Sequence, residues 1–511
     1  MVRSRAIGQA ALALLLTLTL TSGCVQDNAI VVGNATDVST LDPFAMFSRI
    51  EVGVADHIIQ TLTFLDRDMQ VVPLLATDWK RLDGDVTWEF NLRPGVTFHN
   101  GEPFDAEAVK YSIDEVIRRN EEGKTLGPAT VAVPSAEISN VEIVDDLTVR
   151  ISTAGPKALL PFYLTQIYMI APGFYGNASD ADRARTIIGT GPYTVAERIR
   201  DSHISLSRHD GYWGERAVTE RLTFRVIPEV STQIAELETG GIHIVPALPF
   251  DQARIIQNDA EIRVETIAGG RRVMIGITTA GGNPALADKR VRKALNHAID
   301  FDAINEGLFG GLEERMSHVF NPPFANERVE AYEYDPERAR DLLAEAGFAD
   351  GLELDALDTP IGKWIQDYQL AQAVEAQLNA VGITLKDGVR TYEWGNYRSR
   401  LLRYDLPDLF MQASGGEFEL LTEAADLSIS SPSNFYRWEN DEYEGLWGEL
   451  QNELDENRRK AIGDRMQEIV RDEVPWIFLH IQRDVYGVST RVDWKPRMDE
   501  LVHLWDVSLS E

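Results

Sequence analysis

The sequence predicts an α/β chain folded as two unequal lobes joined by crossing strands. Three observations carry this. The chain has 511 residues, more than a single hydrophobic core organises. Its patterning changes near residue 285, from short alternating strands to long helices that take turns with strands. No Pro/Ser-rich tether separates the two halves, so strands passing directly between the lobes are the expected connection.

The first half reads as follows. Ile30 to Gly33 is a buried first strand. Glu51 to Leu62 has helical periodicity through Val54, Ile58, Ile59 and Leu62. Thr87 to Leu92 alternates apolar with polar, Arg93-Pro94-Gly95 turns the chain, and Val96 to Phe98 is a short strand. Asp105 caps a helix with Val109, Ile113, Val116 and Ile117 on one face. Val141 to Ile151 reads as a hairpin turning at Asp145-Asp146. Ala158 to Tyr175 is apolar, but Pro161 and Pro172 break it, and a buried helix followed by a buried strand is predicted rather than a membrane span. Ile204 to Ser207 and Leu222 to Ile227 alternate as strands. Ser231 opens a helix that ends near Gly240-Gly241.

In the second half Val291, Ala294, Leu295, Ala298 and Ile299 share a helix face. Asp335-Pro336 is an N-cap with proline at the first helical position, and Gly347 closes that helix. Leu370 to Ala380 and Asp455 to Arg471 are two more helices. Leu409 to Met411 and Trp476 to Leu479 are apolar strands.

Composition excludes several functions. The chain is 44% hydrophobic and 25% charged, ordinary for a globular protein. A net charge of −32 argues against nucleic acid as a partner, because neutralising phosphates takes Lys and Arg. The single cysteine rules out a disulfide within the chain. None of the nine histidines falls in a zinc-binding helix motif, and no nucleophile elbow or phosphate-cradling loop occurs. No catalytic residue, metal or cofactor is therefore expected, and the reading is a non-enzyme.

The N-terminus carries an export signal. Arg3 and Arg5 precede the short apolar run Ala10 to Leu20, followed by small residues up to Gly23. Residues 1–23 are read as a signal peptide. Leu20-Thr-Ser-Gly-Cys24 resembles a lipobox, with Cys24 as the lipidated residue. Plain cleavage and a retained anchor are the alternatives, and each places the chain in the periplasm or at the cell surface.

One block is more specific. The run from Ala76 to Ala106 contains Trp79, Asp83-Gly84, Thr87-Trp88-Glu-Phe90, Arg93-Pro-Gly95, Phe98-His99-Asn-Gly101 and Pro103. It resembles the signature of peptide-type (family 5) extracellular solute-binding proteins, the receptors of dipeptide, oligopeptide and nickel ABC importers. Gly189-Thr-Gly-Pro-Tyr193, Tyr212-Trp213-Gly214, Val291 to Asp300, Asp335 to Gly347 and Val474 to Ile477 are similar to later landmarks of that family, in the same order.

The resemblance implies a two-lobed clamshell of the periplasmic-binding-protein type, class II-like, with an extra subdomain in lobe one. Lobe one would span 29–270, with the subdomain at about 70–190. Lobe two would span 271–484, and 485–511 would return to lobe one. Arg272 to Thr278 and Ile477 to Val488 would be the hinge strands. The implied function is capture of a peptide or peptide-sized solute between the lobes, for delivery to the permease and ATPase subunits of an ABC importer. An oligosaccharide, an opine-like compound or a metal chelate is the alternative solute. A monomer is expected, touching the membrane only through the lipid anchor.

The resemblance also selects ligand-binding candidates. Thr40 and Phe44 lie on the loop Ser39 to Phe44. Arg271 precedes the hinge strand, where a hinge salt bridge is its other reading. Trp394 would stack on a ligand or sit in the core. Ser414, Gly415 and Glu417 stand where peptide receptors place an acidic anchor for the ligand's amino group, although the family's Asp-Pro-Asp-type stretch is absent. Trp438 would wall the pocket.

Overall fold

The computed structural model describes residues 29–510, apart from 83, 126, 323, 416–418, 430 and 432–433. Cys24 and Glu417 lie outside the described residues.

The spine of the molecule is an 11-stranded mixed sheet. Its two long strands, Ile262–Ile277 and Trp476–Ser489, run antiparallel beside each other through the centre. On one side the order continues through Ile244–Val245, Ala29–Asn34, Arg221–Val226, His203–Arg208 and Tyr193–Ile199. On the other it continues through Leu409–Gly415, Leu357–Pro360 and Val389–Tyr392, and the short strand Glu314–Arg315 pairs with Trp476–Ser489 off this path. The central strands are both longer than the expected hinge segments. Their ladder shifts register between Ala268 and Arg272, where Gly269 and Gly270 interrupt the side-chain alternation.

Two hydrophobic cores flank this spine. One gathers residues from Ile30 to Phe224 with Ile244 and the terminal stretch Tyr486 to Val507. The other gathers residues from Ile227 to Val485. A separate four-stranded antiparallel sheet, Ala76–Arg81, Thr87–Leu92, Thr148–Thr153 and Ile138–Asp145, packs with the helix Ala106–Glu121 inside the first half. Its alternation buries Trp88, Phe90 and Leu92 on one face.

Local signals set the helix starts. Asp105, Asp335 and Asp455 each accept a backbone N–H from the first turn, as N-caps do. Gly347 takes φ +95 just past its helix. Two expectations are corrected. The first helix is Arg49–Ala55, capped by Ser48 with Glu51 closing the capping box, rather than Glu51 to Leu62. Ala158 to Tyr175 forms short helical turns at Leu160–Tyr163, Leu164–Gln166 and Pro172–Tyr175, with a single bridge from Tyr168 to Thr61 in place of a strand. Pro161 and Pro172 sit in the first turns of those helices, where a missing N–H costs nothing. No helix among the described residues is long and apolar enough to cross a membrane.

Candidate functional site: an aromatic cavity with a polar floor

A cavity of about 680 Å³ opens in the first half of the molecule. That is the size range of sites that take small molecules. Four stretches distant in sequence build it: Pro43 to Leu74, Gly127 to Tyr168, Pro192 to Glu215, and Arg497 to Asp506. Phe64, His503 and Trp505 form one wall. His503 stacks on Trp505 at 4.3 Å and lies 5.6 Å from Phe64. Phe47, Phe162, Tyr168 and Tyr212 complete the aromatic lining.

The floor is polar. Asp56, just past the first helix, accepts the Tyr168 hydroxyl at 2.7 Å and faces His503 Nε2 at 2.9 Å. Burial pushes its carboxyl up to about 6, although the Tyr168 hydrogen bond opposes this. Burial also holds His57 and His503 down near 3, so both rings are neutral. His57 Nε2 therefore accepts the Leu504 N–H at 3.1 Å, while Nδ1 donates to the Gly53 carbonyl at 2.7 Å. This fastens the terminal stretch to the first helix. Arg497 spends its guanidinium on Asp499, at 2.6 Å, and on the Leu65 carbonyl.

Gln60 joins the floor to the sequence landmarks. Its side chain meets Tyr212, Trp213 and Thr190 at 2.9–3.0 Å. Gly189 and Gly191 press on the backbone of His57 and Ile58, and a Cβ at Gly189 would lie 2.2 Å from the Ile58 carbonyl oxygen. That close approach explains the two glycines in Gly189-Thr-Gly-Pro-Tyr193.

Two chains of contacts run from the cavity lining towards Gly415 and Glu419, neither of which lines the cavity itself. In one, Leu501 lines the cavity, its neighbour Glu500 lies 4.0 Å from Arg271, and Arg271 pairs with Gly415 across the ladder. In the other, Phe162 lines the cavity, and its neighbour Tyr163 acts electrostatically on Arg459, which is ion-paired to Glu419 at 3.3 Å.

The other candidates fall in several places. Thr40 and Phe44 share the loop that the buried Glu51 pins through the N–H groups of Ser39, Phe47 and Ser48. Phe44 is 1% exposed in the core, and its neighbours Pro43, Met46 and Phe47 line the cavity instead. Ser414 bonds to Asp426 and accepts from Arg272 at 3.2 Å, away from the cavity lining. Trp394 is half-buried against Trp364 at 5.8 Å, with Lys363 over its ring. Trp438 is 3% exposed and packs edge-on to Tyr443. Neither tryptophan lines the cavity. Asp56, His503 and Trp505 were not among the residues expected from sequence. The only local hint is Asp56-His57 interrupting an apolar helical run.

Among the described residues no cluster of three or more His, Cys, Asp or Glu is placed to hold a metal ion. The family model for bacterial extracellular solute-binding proteins, family 5 Middle, matches residues 70–439. This chain belongs to that family. It is similar to the dipeptide-binding protein of Escherichia coli, 28% identical over 444 residues, covering 80% of this chain and 81% of that one. It is also similar to heme-binding protein A of Haemophilus influenzae, 26% identical over 431 residues, covering 80% and 78%. The fold is shared with HbpA2 from Haemophilus parasuis, at TM-score 0.86 and 20% identity over 94% of this chain and 100% of that one. The family 5 protein described here is the extracytoplasmic substrate-binding component of an ABC importer, working with permease and ATPase subunits. Its family supplies transport components, not enzymes.

Proposed function

We propose that the solute is a peptide or peptide-sized molecule, captured between the two lobes and held in the aromatic cavity. The carrying observation is a cavity of about 680 Å³ with an aromatic wall of Phe64, His503 and Trp505 over a polar floor. Contact with both lobes lets the solute favour the arrangement that encloses it. Glu417 is placed by the sequence on the loop after Gly415, and Arg271 and Gly415 stand at its root. No chemistry on the solute is part of this reading. The protein acts as a monomer, exported by residues 1–23 and anchored through lipid on Cys24.

A second reading keeps the receptor role and changes the solute. The stacked wall of Phe64, His503 and Trp505 would suit a flat, non-peptide molecule equally well in shape. A thermal-shift screen separates the two. Di- and tripeptides at 100 to 1,000 times their dissociation constant are expected to stabilise the protein by about 3–4 kcal/mol. Stabilisation by flat non-peptide solutes alone would reject the peptide reading.

A further inference from the structure

Asp56 is a carboxylate on the floor of a cavity whose walls are aromatic. Its side chain is 13% exposed, so it meets the cavity directly. Among the described residues no Lys or Arg comes within ion-pairing distance of it, and its two ionisable contacts, His503 and Tyr168, are both neutral. The charges around it are accounted for. On its own segment, Arg49 is exposed at the rim and His57 is neutral. From the terminal stretch, Arg497 is bound to Asp499, and Asp506 lies 3.6 Å from Arg67. From the subdomain comes Tyr168, a neutral hydrogen-bond donor. Glu215 adds a further negative group to the lining. A buried carboxylate without a counter-charge is costly. An incoming cation would offset that cost, and the faces of Phe64, Tyr168 and Trp505 would stabilise the same cation.

We infer that Asp56 is the floor of a cation subsite, and that the solute presents an ammonium or guanidinium group to it. This rests on the reading that the cavity is the solute site. The cation can be a chain-terminal amine, a basic side chain or the amine of a non-peptide solute, since all three share the chemistry that Asp56 recognises. The subsite also has a pH dependence. A carboxyl that holds its proton up to about pH 6 attracts a cation only above that pH.

Calorimetric titration with matched probes tests this. Trialanine carries a terminal ammonium, N-acetyltrialanine carries none, and N-acetyl-alanyl-lysyl-alanine carries only the side-chain ammonium. Phenethylammonium and 2-phenylethanol form the non-peptide pair. At pH 8 at least one cationic probe should bind tenfold or more tighter than its uncharged partner. Asp56→Asn should reduce that ratio to within twofold while keeping the wild-type far-ultraviolet circular dichroism. A second measurement uses wild type alone. Lowering the pH from 8 to 5 should weaken the cationic probe about tenfold and leave any binding of the uncharged one unchanged. Equal affinity within each pair, a cation preference that survives in Asp56→Asn, or a pH-independent preference would overturn the inference. If only the phenethylammonium pair behaves as expected, the peptide reading falls and the cation subsite stands. If trialanine binds without a charge preference, the peptide reading stands and the subsite falls. If no cationic probe binds, both fall.

Discussion

Asp56 shows how one side chain can be held ready at a cost to the fold. Its carboxyl sits near 6 in the folded protein, against 3.8 for the free group. The folded state therefore grips the proton more tightly than the unfolded state does. Its contribution to stability is favourable below pH 3.8 and is lost as the pH rises through about 6. Asp56→Asn should accordingly stabilise the solute-free protein at pH 8, by up to about 3 kcal/mol, with the gain shrinking towards pH 4. Urea denaturation of both proteins at several pH values measures this, and a gain that does not change with pH would refute the burial argument. Sequence could not single out Asp56, because its partners Tyr168 and His503 lie 112 and 447 positions away. Phe44 shows the reverse. The loop resemblance placed it near the ligand, yet its apolar ring packs inward and its flanking residues face the cavity.

At the scale of elements, local chemistry was readable and long-range packing was not. The caps at Asp105, Asp335 and Asp455 were legible because an N-cap bonds within its own first turn. The central strands were legible as apolar runs, but their full length was not, since Ile262 to Gly270 mixes charges and glycines that only the ladder aligns. The apolar run Ala158 to Tyr175 misled because burial, which periodicity detects, does not distinguish a strand from short turns packed in an interior. The root of the lobe-two loop gives a testable element. Gly415 has φ +126, and a Cβ there would lie 1.7 Å from the Gly270 carbonyl oxygen. Gly415→Ala must push the strand Leu409–Gly415 off its central neighbour. A loss of about 2–4 kcal/mol is expected in chemical denaturation, together with weakened solute binding. Unchanged stability would show that the ladder yields locally and does not fix the loop.

At the scale of the whole molecule, two cores share one continuous sheet, and the central strands pass between them without a linker. The change of patterning near residue 285 announced two halves, and the run from Ala76 to Ala106 announced the family. The cavity itself was not legible, because it is assembled from four distant stretches that no spacing relates. The two-lobed fold shared with family 5 proteins leads to the central claim, that solute is captured by being enclosed between the two halves. Small-angle X-ray scattering across a solute titration tests that claim most directly. The radius of gyration should fall with the same midpoint as the thermal stabilisation and reach its limit at one solute per protein. An unchanged radius at a solute concentration that saturates the thermal shift would contradict it.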